Sequence, residues 1–143
     1  MVLCPGYWTP PQLVMGMALL LRTDASGKIT YAYNTSTGIL TLTGTATTRD
    51  DARQLLAVDK VLGWAAVAGM LPLEGAIVCM EGGADASAVS HCVRAGVPIV
   101  IGLGTPTSLA CDIAKHFGVT LVSILDAAPE PEVLVWTVPD RVA

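Results

Sequence analysis

The chain has 143 residues, a formal net charge of -4 at pH 7 and a pI near 4.9. Its eight Lys and Arg residues are scattered, so the sequence lacks the basic footprint of a nucleic-acid-binding protein. Charged residues are only 14% of the chain, well below the ~25% typical of soluble domains, which predicts that part of the surface is buried in a homo-oligomer, most simply a dimer.

The length of the chain fits one domain, which we expect to span residues 1–143. Within it, composition separates a β-rich N-terminal part (1–48), a region of alternating helices and strands (49–125) and a tail (126–143) with an edge strand at 132–138. The apolar run at 13–21 is too short to cross a bilayer and no cationic segment precedes it. We therefore expect a cytoplasmic protein that does not bind membranes.

Three β segments are predicted in the N-terminal part. Segments 13–22 and 28–33 flank the sequence DASG, which predicts a hairpin with Gly27 in the turn, and the third segment is ILTLT at 39–43. The residues at 48–51 (TRDD) then resemble a capping box and predict the start of a helix that ends near Gly69. The predicted buried residues of this helix are Leu55, Val58, Leu62 and Ala65.

The stretch from residue 76 to residue 125 carries the clearest pattern. Short apolar runs (AIVCM, VPIVIG and VTLVSIL) alternate with segments of helical period, each entered through a Gly-rich turn. Buried strands that alternate with helices are typical of a parallel sheet, so the sequence predicts an α/β fold. Gly96 and Gly118, like Gly69, stand where a helix would end in a left-handed cap before an apolar residue.

Two turns, 81–85 and 102–108, follow neighbouring strands of this sheet and precede helices. Helix N-termini offer free N–H groups and a favourable dipole to anions, so these turns are the predicted ligand site, with no covalent chemistry in it. The alternative is that their polar residues only cap helices: Asp85 the second helix, and Thr105, followed by Pro106, the third. The predicted cofactor-binding residues are Glu81, Gly82, Gly83, Asp85, Gly104, Thr105, Thr107 and Ser108.

The third helix is predicted to bury one stripe of apolar side chains. The stripe consists of Leu109, Ala110, Ile113, Ala114 and Phe117. On the other side of this helix and of the preceding one, His116 and His91 are interpreted as solvated residues, so no catalytic histidine is expected.

The sequence lacks the common motifs for nucleotide binding and for cysteine chemistry. The turns match neither the P-loop pattern nor the dinucleotide-binding glycine pattern. Cysteines 79, 92 and 111 have apolar neighbours and are interpreted as small hydrophobic residues in a reducing compartment, which leaves Cys4 as the more exposed thiol. We therefore expect neither a catalytic residue nor a metal site.

Three segments resemble the FdhD family, the formate dehydrogenase accessory proteins that act as sulfur carriers. They are RDDARQLLAVDK at 49–60, GADASAVSHCVRAGVPIV at 83–100 and TPTSLACDIAKHFGVTLV at 105–122. The resemblance implies a three-layer α/β/α sandwich with a mixed, largely parallel sheet, similar to that of cytidine deaminases and usually dimeric. It also implies binding of a molybdopterin guanine dinucleotide cofactor and transfer of sulfur to it.

The resemblance is partial at the residues that would carry the chemistry. Arg53, Gln54, Leu55 and Leu56 stand where the family has Gly, Arg, His and Asn, and Gly83 replaces an arginine that could grip phosphate. The Cys-x-x-Cys loop that carries the family's persulfide is missing. The zinc ligands of deaminases are also incomplete, because Cys79-Met80-Glu81 has no Pro-Cys-x-x-Cys partner.

Two functions remain open from the sequence. The first is an FdhD-like accessory protein that binds a guanine nucleotide or molybdopterin guanine dinucleotide, or its formate dehydrogenase client, and relies on a separate sulfur donor. The second is a non-catalytic ligand-binding or assembly module that keeps only the fold. The first requires a nucleotide site at the turns around Gly82 and Thr107, whereas the second allows these turns to be simple helix caps.

Overall fold

The computed structural model describes residues 2–3, 17–23, 29–34, 39–51, 53–125 and 132–141. The strands and helices in these ranges are β1 (Val2–Leu3), β2 (Met17–Arg22), β3 (Thr30–Asn34), β4 (Ile39–Thr43), β5 (Thr45–Asp50), α1 (Gln54–Val67), β6 (Ile77–Met80), α2 (Ala86–Arg94), β7 (Ile99–Gly102), α3 (Ser108–His116), β8 (Thr120–Leu125) and β9 (Glu132–Val135). A short 3-10 helix at Pro139–Arg141 follows.

The strands form two sheets, one with the order β1-β4-β3 and one with the order β5-β2-β6-β7-β8-β9. In the larger sheet β6, β7 and β8 are parallel, whereas β2 runs antiparallel to both of its neighbours and β9 antiparallel to β8. The α/β class and the mixed sheet are therefore confirmed. The expectation of a largely parallel sheet holds only at the centre of this sheet, where the β6–β7 and β7–β8 pairings are parallel; its other three pairings are antiparallel.

The predicted hairpin between 13–22 and 28–33 was wrong. Strand β2 pairs with β5 on one side and with β6 on the other, while β3 pairs with β4 in the smaller sheet. The physical reason lies in the run MALLLR, in which Leu19 and Leu20 point to opposite faces and are both buried. A strand that is apolar on both faces belongs at the centre of a covered sheet. The turn predicted at Gly27 lies outside the described residues.

All three helices pack on one face of the larger sheet. Their buried residues, such as Val61, Val89 and Ala114, share a core with Leu20 and Val78 of the strands. The intervening strand residues, among them Leu19 and Cys79, form a second core on the opposite face. Strands β5, β6, β7 and β8 run in the same direction and occur in this order across the sheet, with β2 between β5 and β6. Each of the three helices connects two successive strands of this series. Because such connections are right-handed, all three helices lie on the same side of the sheet. The three-layer arrangement and the cytidine-deaminase-like classification stay predictions.

The ends of the helices follow the sequence signals better than their beginnings do. Gly69, Gly96 and Gly118 have φ values of 70°, 78° and 67°, and each helix ends with two backbone hydrogen bonds that close back over its last turn. This prediction is confirmed. The predicted start of α1 at 48–51 was wrong, because the Thr-rich segment there continues β5 and the helix begins only at Gln54.

The predicted edge strand at 132–138 is confirmed as β9, but it ends at Val135. Val138 has a φ of 45°, a left-handed conformation that a β-branched residue rarely adopts and that no strand can contain. Beyond the strand, the side chain of Thr137 makes the hydrogen bonds to β8 that the backbone would otherwise make: its Oγ1 accepts from the N–H of Leu121 at 2.9 Å and donates to the carbonyl of Val119 at 2.7 Å.

None of the helices in the described part of the chain has the length and the apolar content that a membrane-spanning helix requires.

Candidate functional site

The two turns singled out in the sequence lie side by side at one edge of the larger sheet. Strands β6 and β7 are parallel neighbours, so the turn that follows Met80 and the turn that follows Gly102 leave the sheet at the same end. The first turn leads into α2 and the second into α3. This is the edge at which ligands bind in open α/β sheets, because strand carboxyl ends and helix N-termini meet there.

The two turns touch through their backbones. A Cβ atom added to Gly83 would lie 2.0 Å from the carbonyl oxygen of Thr105, and one added to Gly104 would lie 2.7 Å from the nitrogen of Gly83. The N–H of Thr107 also donates to the carbonyl of Ala84 at 3.1 Å. The glycines are therefore needed for the turns to meet, whether or not a ligand approaches them.

The cap of α2 is as the sequence suggested, whereas the cap of α3 is not. Asp85 is the N-cap of α2, and its carboxylate accepts from the N–H of Ala88 at 2.7 Å. For α3 the N-cap is Thr107, whose Oγ1 accepts from the N–H of Ala110 at 3.2 Å. The prediction of Thr105 as N-cap was wrong, because the backbone is still extended at Thr107 and reaches helical geometry only at Ser108.

The apolar stripe predicted for α3 was partly wrong. Ala110 and Ala114 are buried and Ile113 is half-buried, but Leu109 and Phe117 are 58% and 60% exposed. The reason is the position of α3 in the helical layer: α2 lies between α1 and α3, so α3 has a helix neighbour on only one flank within the described part of the chain.

The polar groups at this edge differ in what they can offer a ligand. Asp85 and Thr107 are already used as caps, whereas Thr105 and Ser108 are exposed and leave their hydroxyls at the surface. Ser108 is the first residue of α3, where backbone N–H groups have no acceptor within the helix. The site can therefore donate hydrogen bonds to an anion, although the carboxylates of Glu81 and Asp85 oppose negative charge there.

Sequence reasoning missed that the N-terminus of α1 also reaches this edge. Gln54, the first residue of α1, lies against Gly82: a Cβ atom on Gly82 would be 3.4 Å from Oε1 of Gln54. The Nε2 atom of Gln54 is buried and has no hydrogen-bond partner among the described residues. Arg53, the exposed N-cap residue of α1, places a cation next to Gln54 in the sequence. Only the alignment of 49–60 with the FdhD pattern could have drawn attention to these two residues.

A second group that the sequence did not reveal joins strand β8 to the second turn. The Oγ atom of Ser123 donates to the carbonyl of Gly104 at 2.7 Å, and Nε1 of Trp136 donates to that Oγ at 2.9 Å. Trp136 follows β9 directly. The residues lie far apart in the sequence and none of them belongs to a recognisable motif, so only the sheet topology brings them together.

The described cysteines are poorly suited to act as sulfur nucleophiles, which require an accessible thiolate. Cys79 is buried, and burial, with a smaller contribution from the charge of Asp59, raises the pKa of Cys92 from 9.0 to about 12. Burial and the neighbouring Asp112 also raise the pKa of Cys111. Cys4 lies outside the described residues.

His91 has a carboxylate partner that its sequence neighbours did not indicate. Its Nδ1 lies 2.5 Å from Oδ1 of Asp59, which joins α2 to α1. The interpretation of His91 as simply solvated was therefore incomplete. Lys60, the next residue along α1, forms an ion pair with Asp51 at 2.6 Å. Thus Asp51 and Lys60, in the segment that resembles the FdhD family, form an ion pair, and Asp59 of the same segment makes a short hydrogen bond with His91.

Comparison with known proteins agrees with the resemblance seen in the sequence. A family model described as the FdhD/NarQ family matches residues 11–143. The sulfur carrier protein FdhD of Mycolicibacterium paratuberculosis (strain ATCC BAA-968 / K-10) is 36% identical over 94 residues, which are 66% of this chain and 34% of the relative. The protein of that name from Nocardia farcinica (strain IFM 10152) is 38% identical over 89 residues, or 62% and 32% of the two chains. The chain thus spans about a third of the length of these curated relatives.

The fold also has a relative among solved structures. A crystal structure described as a formate dehydrogenase accessory protein from Desulfotalea psychrophila superposes with a TM-score of 0.58 and 27% sequence identity. The superposition covers 87% of this chain and 47% of the other. The prediction of a resemblance to the FdhD family is confirmed by these findings.

Proposed function

Because the chain belongs to the FdhD/NarQ family, we propose that it takes part in the maturation of formate dehydrogenase, as a binding component and not as the carrier of sulfur. The names of its relatives, sulfur carrier protein and formate dehydrogenase accessory protein, support the first half of this proposal. The second half rests on the chemistry of the described cysteines, since burial raises the pKa of Cys92 and no Cys-x-x-Cys sequence is present.

The proposed ligand is a guanine nucleotide or molybdopterin guanine dinucleotide, held at the turns 81–85 and 102–108. The observation that carries this proposal is the contact between the two turns, because Gly83 and Thr105 bring the N-termini of α2 and α3 to one place. We assign the binding of phosphate to the hydroxyls of Thr105 and Ser108 and to the free N–H groups at the start of α3. Gly82, Gly83 and Gly104 would shape the floor of the site.

The alternative is a non-catalytic module that keeps only the fold. Three observations favour it. The glycines of both turns are explained by the turns' own contact, and Asp85 and Thr107 already serve as helix caps. In addition, Glu81 and Asp85 add negative charge at the place where a phosphate would bind. Under this alternative the chain would act through protein partners alone.

Calorimetric titration with GDP distinguishes the two functions. We expect saturable binding that weakens at least tenfold when Thr105 and Ser108 are both changed to Ala, since each hydrogen bond to a charged group contributes about 1.5–3 kcal/mol. Thr107→Ser is the matched control, because it changes the same turn and keeps both the helix cap and the two proposed donors. Absence of any binding of GDP to the unchanged protein would favour the module that keeps only the fold.

The partners of the chain are part of the same proposal. We propose that it forms a homo-oligomer and contacts formate dehydrogenase or a separate sulfur donor in the cytoplasm. Low charge content and the exposed apolar side chains Leu109 and Phe117 support a buried interface. A monomer at micromolar concentration in analytical ultracentrifugation would argue against the homo-oligomer.

A further inference from the structure

Trp136 stands at the sheet edge and is tied to the candidate site. Its backbone N–H donates to the carbonyl of Leu121 at 2.9 Å, and its indole Nε1 donates to Oγ of Ser123 at 2.9 Å. Ser123 in turn donates to the carbonyl of Gly104 at 2.7 Å, and Gly104 belongs to the second turn. A single hydroxyl therefore connects the indole ring to a residue of the proposed ligand site.

The side chain of Trp136 is held in place, and the residue nevertheless remains partly exposed. Trp136 is 43% exposed, although its backbone and its indole N–H both have partners. Because the N–H lies in the plane of the ring, its hydrogen bond fixes one edge of the indole and does not use the ring faces. A ring that is already fixed loses little conformational freedom when another ring stacks on it.

We propose that Trp136 is a stacking platform for a planar nitrogen heterocycle whose phosphate end binds at the start of α3. This inference rests on the proposed function and adds to it the group that recognises the ring of the ligand. The division of roles follows from the chemistry. Hydroxyl and N–H groups near Thr105 and Ser108 suit an anion, whereas an indole face suits an aromatic ring that can stack on it.

Ser123 is the positioning residue of this platform. Its hydroxyl is engaged twice, as acceptor from Trp136 and as donor to Gly104, so its removal releases the indole and leaves a carbonyl of the second turn without its donor. It acts on the ligand only through these two neighbours. The change Ser123→Ala should therefore weaken the binding of the ring, while Trp136 itself remains present.

The test compares two probes, GDP and inorganic pyrophosphate, on the same variants. Trp136→Leu keeps apolar volume but lacks an aromatic face, and Trp136→Phe restores the face without the N–H. We expect Trp136→Leu to lower the affinity for GDP by between about 5-fold and 150-fold, the range that loss of stacking on an aromatic side chain predicts. The affinity for pyrophosphate should stay unchanged. Trp136→Phe should retain most of the affinity for GDP.

Trp64→Phe is the matched control. Trp64 lies ten residues along α1 from Gln54, about 15 Å away along the helix axis, beside the guanidinium groups of Arg22 and Arg49. Its replacement should leave the affinities for both probes unchanged. Quenching of tryptophan fluorescence by GDP should persist in this variant and should be largely lost in Trp136→Leu.

Three results would overturn the inference. If Trp136→Leu binds GDP as tightly as the unchanged protein, while the Thr105 and Ser108 double variant does not, the nucleotide site stands and the platform is wrong. If Trp136→Leu and Trp136→Phe weaken both probes equally, Trp136 only supports the turn. If the unchanged protein binds pyrophosphate and GDP with the same affinity, the guanine ring contributes nothing to binding. Circular dichroism of each variant verifies its fold, and Trp136→Phe keeps the comparison decisive if Trp136→Leu does not fold.

Discussion

Gly83 lies so close to Thr105 that a single added carbon would stand 2.0 Å from the carbonyl oxygen of Thr105. The backbone of one turn thus occupies the space that a side chain on the other would need. Because both partners at this point are backbone atoms, neither can move aside without shifting its strand or helix. The contact fixes the relative position of the N-termini of α2 and α3, and with it the geometry of the proposed ligand site.

Changing Gly83 to Ala should destabilise the fold. We expect the free energy of unfolding to fall by about 1–3 kcal/mol or more, the usual cost of forcing extra atoms into a packed region. Gly63→Ala is the control, since nothing lies within 4 Å of a Cβ atom there and a glycine inside a helix costs about 0.5–1 kcal/mol relative to alanine. In urea unfolding, Gly83→Ala should lower the free energy of unfolding and Gly63→Ala should raise it. Equal effects of the two changes would contradict the close contact at Gly83.

The cap of α3 is tested by changes at Thr107 and Thr105. Thr107→Ala should lower the free energy of unfolding by about 1 kcal/mol, because the N–H of Ala110 loses its acceptor. Thr107→Ser should restore most of this loss, whereas Thr105→Ala, at an exposed position before Pro106, should change it little. A larger loss for Thr105→Ala than for Thr107→Ala in thermal unfolding would place the cap where the sequence suggested.

The buried thiol of Cys92 predicts a dependence of stability on alkaline pH. Its pKa is about 12 in the folded chain, whereas an unfolded cysteine ionises near 9.0. Between these values the unfolded chain releases a proton that the folded chain keeps, so the free energy of unfolding falls as pH rises, by up to about 1.4 kcal/mol per unit. Cys92→Ala should lessen this slope. An unchanged slope would show that other groups produce it.

Thiol labelling gives an independent measure of the same burial. In the folded protein at pH 8, iodoacetamide should leave Cys92 unlabelled, because the thiol is buried and protonated, and peptide mass spectrometry reads this out. Labelling should become complete in urea.

The pair of Asp59 and His91 should contribute modestly to the packing of α1 on α2. Its atoms lie 2.5 Å apart, but the side chains are 40% and 36% exposed, so solvent screens the interaction. A double-mutant cycle with Asp59→Asn and His91→Ala should give a coupling free energy of about 0.2–1 kcal/mol. Additive effects of the two changes would show that the contact contributes nothing to stability.

What could be predicted from the sequence is what neighbouring residues decide. Strands β6, β7 and β8 are continuous apolar runs, and α1, α2 and α3 end at glycines that accept a left-handed conformation. Asp85 caps α2 within one turn of its own position. Each of these features depends on a few consecutive residues, and each was found.

What could not be predicted depends on residues that are distant in the chain. Strand β2 pairs with β5 on one side and with β6 on the other, and the contact between His91 and Asp59 joins two helices. The hydrogen bond from Trp136 to Ser123 joins the residue after β9 to strand β8. Exposure of Phe117 depends on the position of α3 at the end of the helical layer. No local pattern contains this information, because it arises only when the order of strands in the sheet is known.

The position of β2 has a consequence for how the chain can be divided. The segments whose sequence resembles the FdhD family most clearly begin at Arg49, although the family model matches residues 11–143. The strand that separates β5 from β6 is made before these segments, at Met17–Arg22. A fragment starting at Arg49 would lack this strand and would expose the edge of β6 and the apolar side chains that Leu19 and Leu20 cover. During synthesis, β2 must likewise wait for β5 and β6 before either of its edges is paired, so we expect the nascent chain to aggregate more readily over this interval than the finished protein.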